Sequence, residues 1–207
     1  MITLIANLKG GTGKSTVNFN LAIWLATHKQ MTRLFDLDPQ HTLTDVVDLR
    51  REEGYSPDLD LRQEYKHLNS NAGSDVDVLV DVGTADMVAM KYAVKVADRI
   101  IVPVTPSQAD VWSTQRFLAL IKKVRGRTKT PEILGFINRA DTHLLVRETQ
   151  ETHQALELLP RIRPLKSRLF QRMDYRRSFS EGLAVFELSP SSKAAAEVHR
   201  LAEEIFS

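Results

Sequence analysis

Three glycines within four positions, followed at once by Lys-Ser-Thr, constrain this chain more than any other feature. The segment Lys9-Gly10-Gly11-Thr12-Gly13-Lys14-Ser15-Thr16 lies directly behind the apolar run Ile2 to Leu8. That order reads as strand, phosphate loop, helix. Glycines leave backbone N–H groups free to turn toward one point with no Cβ in the way, and the helix behind them directs the positive end of its dipole there. A polyphosphate fits that point. Lys14 would reach its β and γ phosphates, and the Ser15 hydroxyl is placed to ligate a Mg²⁺ bridging them, with Gly10, Gly11, Thr12, Gly13 and Thr16 completing the cradle. The site therefore asks for a magnesium nucleotide.

The common form of this loop has glycine at position 8, where this chain has Leu8, and it has no counterpart of Lys9. KGGTGKST resembles the deviant Walker A box of the ParA/MinD family of ATPases, in which a second lysine precedes the glycines. The resemblance implies ATP as the nucleotide. It also implies that Lys9 acts across a nucleotide-sandwich homodimer, on the phosphates bound by the partner subunit.

Two carboxylates follow in Leu34-Phe35-Asp36-Leu37-Asp38-Pro39-Gln40, after a short apolar strand from about Thr32. Residues two apart on a strand end share a face, and such a pair can hold metal-bound water and orient an attacking water. A solvated Asp-x-Asp-Pro turn has the same composition. By resemblance Asp38 is the water-activating residue, Asp36 lies beside the Mg²⁺, and the catalytic set is Lys9, Lys14 and Asp38. A third carboxylate ends the run Asp77-Val78-Leu79-Val80-Asp81-Val82-Gly83. At the carboxyl end of a buried parallel strand, Asp81 would face the Mg²⁺ held by Ser15. The metal set is thus Ser15, Asp36 and Asp81.

Two later segments also resemble the family. Val102-Pro103-Val104-Thr105-Pro106-Ser107-Gln108-Ala109-Asp110 is similar to a stretch bordering nucleotide and dimer interface, and Phe136-Ile137-Asn138-Arg139 to a strand end whose Asn reads adenine. An amide offers one donor and one acceptor, so Asn138 suits that edge.

Apolar strands near 2–8, 32–36, 76–82, 99–104 and 132–138 alternate with helical stretches at 14–27, 42–53, 85–97, 108–125, 144–159 and 191–206; residues 53–74 are the least regular. Alternation of this kind predicts an α/β fold, with a mostly parallel twisted sheet covered by helices on both faces. The resemblance makes it a P-loop NTPase, with one domain spanning 1–207. The chain of 207 residues contains no Cys, which excludes thiolate metal sites and suits a reducing cytoplasm. The six His residues have no metal-ligand spacing. The first residues lack a basic leader and a cleavage site, and no apolar run reaches the ~18 residues of a spanning helix. The strand beginning at Ile2 leaves no room for an N-terminal helix-turn-helix, so the resemblance is to small partition ATPases that read no specific operator.

Formal net charge is only +2, yet Arg161, Arg163, Lys166, Arg168, Arg172, Arg176 and Arg177 stand against Asp174 alone between Pro160 and Ser178. Such a run suits salt-dependent, nonspecific contact with DNA phosphates, although a charge run can equally pair with acids elsewhere in the fold. The last turn of the final helix carries Glu203 and Glu204 with almost no cation, which speaks against an anionic membrane surface. Taken together, the resemblance implies a nucleoid-associated cytoplasmic ATPase. It would dimerise on ATP, bind DNA and be released when a ParB-like or other adaptor stimulates hydrolysis, distributing a plasmid, chromosomal or protein-assembly cargo. An ATP-dependent small-molecule ligase of the same fold, similar to dethiobiotin synthetase, is the alternative.

Overall fold

The computed structural model describes residues 1–28, 31–71, 76–143 and 146–207. Its strands are β1 (Ile2–Ile5), β2 (Thr32–Asp36), β3 (Asp60–Arg62), β4 (Asp77–Asp81), β5 (Arg99–Val104), β6 (Glu132–Ala140) and β7 (Arg163–Phe170). They form one sheet in the order β3-β2-β4-β1-β5-β6-β7, with every pair parallel. The helices are α1 (Lys14–His28), α2 (Thr42–Glu52), α3 (Met87–Val96), α4 (Gln108–Arg125), α5 (Glu148–Glu157), α6 (Met173–Ser180), α7 (Val185–Leu188) and α8 (Lys193–Phe206), with a 3-10 turn at Tyr65–Asn71.

The strand and helix positions expected from periodicity are recovered in β2, β5 and α4 without shift. β1 is shorter than expected, because Ala6 to Lys9 already bends into the phosphate loop. The expected helix 144–159 appears as Glu148–Glu157; Leu144 and Leu145 lie outside the described residues. The irregular stretch 53–74 contains the three-residue edge strand β3 and the 3-10 turn, and its residues 72–74 lie outside the described residues. The basic stretch after Pro160 contains two elements that composition did not announce, β7 and α6.

Central strands are buried on both faces, and their alternation decides which helices they meet. Val78, Val80, Ile100 and Val102 join a core with Ala93 of α3, Phe117 of α4 and Leu156 of α5, whereas Leu79, Ile101 and Leu134 join another with Leu21 of α1, Val47 of α2 and Leu201 of α8. The helices begin where side chains satisfy their first N–H groups: Asp86 accepts from Val88 and Ala89 at 2.9 Å, Ser107 from Asp110 at 3.1 Å, and Ser192 from Ala195 at 3.0 Å. α4 stops at Gly126, which has φ +54°.

The β7 edge is covered rather than left open. Glu204 of α8 accepts the Lys166 and Ser167 N–H groups at 2.8 Å each, and Glu197 accepts that of Phe170 at 3.1 Å. Two acids of the last helix thus take up edge donors that would otherwise invite another strand.

One buried cation ties α2 to two loops and to α7. Arg50, 1% exposed, donates to both Glu187 oxygens at 2.8 Å and to the carbonyls of Ser56, Pro57 and Gly182 at 2.6, 3.0 and 3.1 Å. Its removal leaves Glu187 unpaired and three carbonyls short of a donor. Arg50→Ala is therefore expected to lower unfolding free energy by about 3–5 kcal/mol in urea titrations.

Candidate functional site

The C-terminal ends of β1, β2 and β4 meet at one place, because β1 pairs with β4 and β4 with β2, placing Ile5 beside Asp81 and Asp81 beside Asp36. The phosphate loop leaves β1 there. Asn7 is fully buried and fixes the exit: its amide donates to Pro103 O at 3.0 Å, while its oxygen accepts from Ser113 at 3.0 Å and the Lys9 N–H at 3.3 Å. Gly11 and Gly13 have φ +74° and +83°, values that favour glycine. A Cβ on Gly13 would also stand 2.5 Å from the Asn138 amide nitrogen. Lys14 is buried and opens α1.

Asp81 is fully buried; Oδ1 accepts from Asn18 at 3.1 Å, and Oδ2 has no hydrogen-bond partner among the described residues. Burial pushes the Asp81 carboxyl up to about 7; the Ser15 hydroxyl and Lys14 oppose that rise, while the Asp36 and Asp38 charges add to it. Ser15, Lys14 and the three aspartates therefore act on one another electrostatically. A buried carboxylate oxygen without a partner, beside a hydroxyl and a lysine, is the chemistry that accepts a hard cation. Among the described residues no three His, Cys, Asp or Glu side chains could hold a metal ion by themselves. Mg²⁺ takes few protein ligands and completes its shell with water and phosphate oxygens. Ser15 and Asp81 would hold it there, and it would neutralise phosphate charge.

Asp36 serves a different local purpose. Its Oδ2 accepts the Thr44 N–H and hydroxyl at 2.9 and 2.7 Å, and its Oδ1 the Asp38 N–H at 3.1 Å, so it builds the turn into α2. Both Asp36 oxygens accept hydrogen bonds from the turn. Asp38 is half-buried, accepts the Gln40 N–H at 3.0 Å, and lies against Gly83, where a Cβ would meet its carboxylate oxygens at 2.5 and 2.7 Å.

Lys9 folds over its own subunit. Its ammonium pairs with the Asp110 carboxylate, which also accepts from Ser107 at 2.5 Å. Burial alone would raise the Asp110 carboxyl; hydrogen bonds from Lys9, Ser107 and Thr105 outweigh it and hold the group below its ordinary value. Asn138 lies over the loop and donates to Thr12 O at 2.6 Å. A cavity of about 450 Å³ opens beside it, with Gly13, Thr16, Asn138 and Gln171 on its polar side and Val17, Leu169 and Phe179 on its apolar side.

The seven basic residues after Pro160 do not form one surface. Arg172 is tied to the buried Glu197, with nitrogen-to-oxygen distances of 2.8 and 2.7 Å, and Tyr175 donates to the same carboxylate at 3.1 Å. Arg163 pairs with Glu132 at 3.1 Å and Arg168 donates to Gln150 at 3.0 Å. Arg172 and Arg176 line the cavity beside the phosphate loop, whereas Arg161, Lys166 and Arg177 are exposed. Asn7 and Asn18 are site residues that motif reading passed over, and Gly83 and Asp110 stood in its segments without a role of their own. Asp110 had a signal in the PVTPSQAD segment; Asn18 had none, since its role depends on which side of α1 faces β4.

A strand, glycine loop and helix beside a buried carboxylate at the end of the neighbouring strand define a phosphate-loop nucleotide-binding domain. The family model for the CobQ/CobB/MinD/ParA nucleotide binding domain matches residues 3–184, and the chain belongs to that family, as a ParA/MinD-type ATPase domain. It is 28% identical to the maintenance of carboxysome distribution protein A of Halothiobacillus neapolitanus, over 97% of this chain and 94% of that protein. Its fold is similar to apo McdA of Cyanothece, with a TM-score of 0.81 and 17% identity over 99% and 98% of the two chains. It is also similar to a plasmid partition protein of Borrelia burgdorferi bound to AMPPNP, with a TM-score of 0.74 and 20% identity over 99% and 97%. Among the described residues no helix is long and apolar enough to cross a membrane.

The raised Asp81 carboxyl sets a pH dependence. Unfolded, it ionises near 3.8; folded, near 7. Its contribution to stability is full below pH 4 and is lost as pH rises to 7. Asp81→Asn removes that loss. The nucleotide-free variant should gain on the order of 3 kcal/mol over wild type at pH 8 and almost nothing at pH 4, in thermal melts across that range, while Mg²⁺-dependent hydrolysis falls.

Proposed function

We propose that this protein is a positioning ATPase. It binds MgATP, forms a nucleotide-sandwich homodimer through Lys9, attaches as a dimer to DNA without sequence preference, and is released when an adaptor accelerates hydrolysis. The observation that carries this proposal is Lys9 itself. A lysine that precedes the phosphate loop and pairs with Asp110 at the lip of the site is spare to the in-cis chemistry, for which Lys14 suffices. Full-length similarity to a carboxysome distribution protein supports a cargo-positioning role and makes a protein assembly the preferred cargo class.

Within the site, the backbone N–H groups of Gly10 to Lys14 and the Lys14 ammonium would hold the β and γ phosphates, and Ser15 and Asp81 the Mg²⁺. Asp38 would orient the attacking water. Asn138 and the cavity beside it would receive the adenine, and exposed cations including Arg161, Lys166 and Arg177 would meet DNA phosphates.

Sedimentation velocity with and without MgATP tests this. Wild type should double in mass on ATP, and Lys9→Ala should bind ATP yet remain monomeric. Asp38→Asn should persist as dimer, with turnover reduced about a hundredfold. A wild type that binds ATP and stays monomeric under all conditions would refute the proposal.

A further inference from the structure

The acid-free stretch with the most cations covers most of α4 and the turn behind it, not the segment after Pro160. From Val111 to Pro131 there are six cations, Arg116, Lys122, Lys123, Arg125, Arg127 and Lys129, and no Asp or Glu. All but Arg125 are exposed. Arg125 turns inward, donating to the carbonyls of Lys95, at 2.8 Å, and of Ala97, so the ends of α3 and α4 lie side by side. Arg161 joins the same face, sharing a small cleft with Lys122 and Gly126. Lys122, Lys123, Arg127, Lys129 and Arg161 form no ion pair with any described residue.

Cations in a last helical turn complement the helix dipole, and that need is local. Arg125 serves the end of α3 in this way, by hydrogen bonding to the carbonyls of Lys95 and Ala97. Arg127 and Lys129 lie past the end of the helix at Gly126, where the dipole gives them no favoured place. An unpaired cluster of this density repels itself unless a polyanion neutralises it.

We infer that the end of α4, with the turn 126–130 and Arg161, is the main surface on which this protein receives the phosphate backbone of duplex DNA. The assignment rests on the positioning function proposed above and moves its DNA contact away from the 163–177 stretch. Two observations favour nucleic acid over a lipid surface. Toward the basic end of α4, Phe117, Leu118 and Ile121 are buried in the core, and the exposed apolar residue of this helix, Trp112, lies near its opposite end, away from the cations. A membrane-surface helix needs an apolar face to insert. Position also matters: α4 has 18 residues, so its basic end stands about 25 Å from Asp110 and the phosphate loop. That exceeds the screening length of about 8 Å in physiological salt, so DNA there does not compete with ATP phosphates. Arg172 and Arg176 line the nucleotide-side cavity and would.

The test is fluorescence anisotropy of a random-sequence duplex with MgATP, across a salt series, on the full-length protein. It compares wild type with the quadruple variant Lys122→Gln, Lys123→Gln, Arg127→Gln, Lys129→Gln and with Arg176→Gln, Arg177→Gln. Each phosphate contact contributes about 0.9 to the slope of log affinity against log salt. The quadruple variant should lose about 3 from that slope and at least tenfold in affinity, with DNA-independent ATP turnover at the wild-type level; the α6 pair should lose about 1 or less. If the α6 pair loses the slope and the quadruple variant keeps it, the surface assignment is overturned and the positioning function stands. If wild type binds no duplex in any nucleotide state, the positioning function fails as well. Loss of binding to phosphatidylglycerol vesicles, with duplex binding unchanged in the quadruple variant, would reassign the surface to lipid and overturn the inference.

Discussion

A carboxylate in a dry interior is tolerable only with a counter-charge, and Asp81 is buried where three strands end, one of its oxygens without a hydrogen-bond partner among the described residues. The chain concentrates costs around this point. Two glycines hold left-handed backbone, Lys14 is taken out of water, and the Asp36 and Asp38 charges raise the Asp81 carboxyl further. Each would be expensive alone. A polyphosphate with a divalent cation would relieve all of them at once, since the acids suit the cation and Lys14 and the loop N–H groups suit the phosphate. The instability of the bare site and its affinity for nucleotide have the same electrostatic origin.

The surrounding structure holds that point from several directions. Asn7 ties the loop to the end of β5 and to α4, Asn18 ties α1 to Asp81, and Asp36 ties the same strand-end cluster to α2. Arg50 then joins α2 to Glu187 on α7, and the Val185 N–H at the start of α7 donates to Asn20 on α1 at 2.8 Å. The bonds close a ring around the phosphate end of α1. Because these links are buried and directional, a change at one carboxylate cannot be absorbed by a local side-chain turn.

Local chemistry was legible in the sequence, and the rest was not. Lys9 to Thr16, Asp38 and Asp81 could be read because strand, glycine loop and carboxylate follow each other along the chain. Asp36 could be found by the same means, but its occupation by Thr44 depends on how the next helix begins. β7 was hidden because its buried residues, Leu165 and Leu169, are four apart, and irregular pairing with β6 breaks the two-residue period. Its arginines therefore read as a surface run, whereas Arg172 is held by Glu197 from a helix 25 positions away. The basic end of α4 was masked in the opposite way, since Phe117, Leu118 and Ile121 supply a helical core pattern that explains the segment without its charge.

The placement of α4 constrains how nucleotide could govern attachment to a polyanion. Its first turn holds Asp110, paired with Lys9, and its last turn and the residues beyond carry the unpaired cations. Direct electrostatics cannot connect the two ends, because about 25 Å of helix exceeds the screening length severalfold. What can connect them is mechanical. A helix packed by Val111, Phe117 and Ile121 moves as a unit, and any event that takes Lys9 from Asp110 leaves an uncompensated buried acid on its first turn. That acid must then find a new partner or shift the helix. Dimerisation offers a simpler route, since two subunits double the number of cations presented to one duplex and raise affinity by effective concentration alone. The second route needs no change of shape within a subunit. It therefore predicts that a covalently linked dimer with Lys9 intact binds DNA without ATP, whereas the mechanical route requires nucleotide to release Lys9 from Asp110 first.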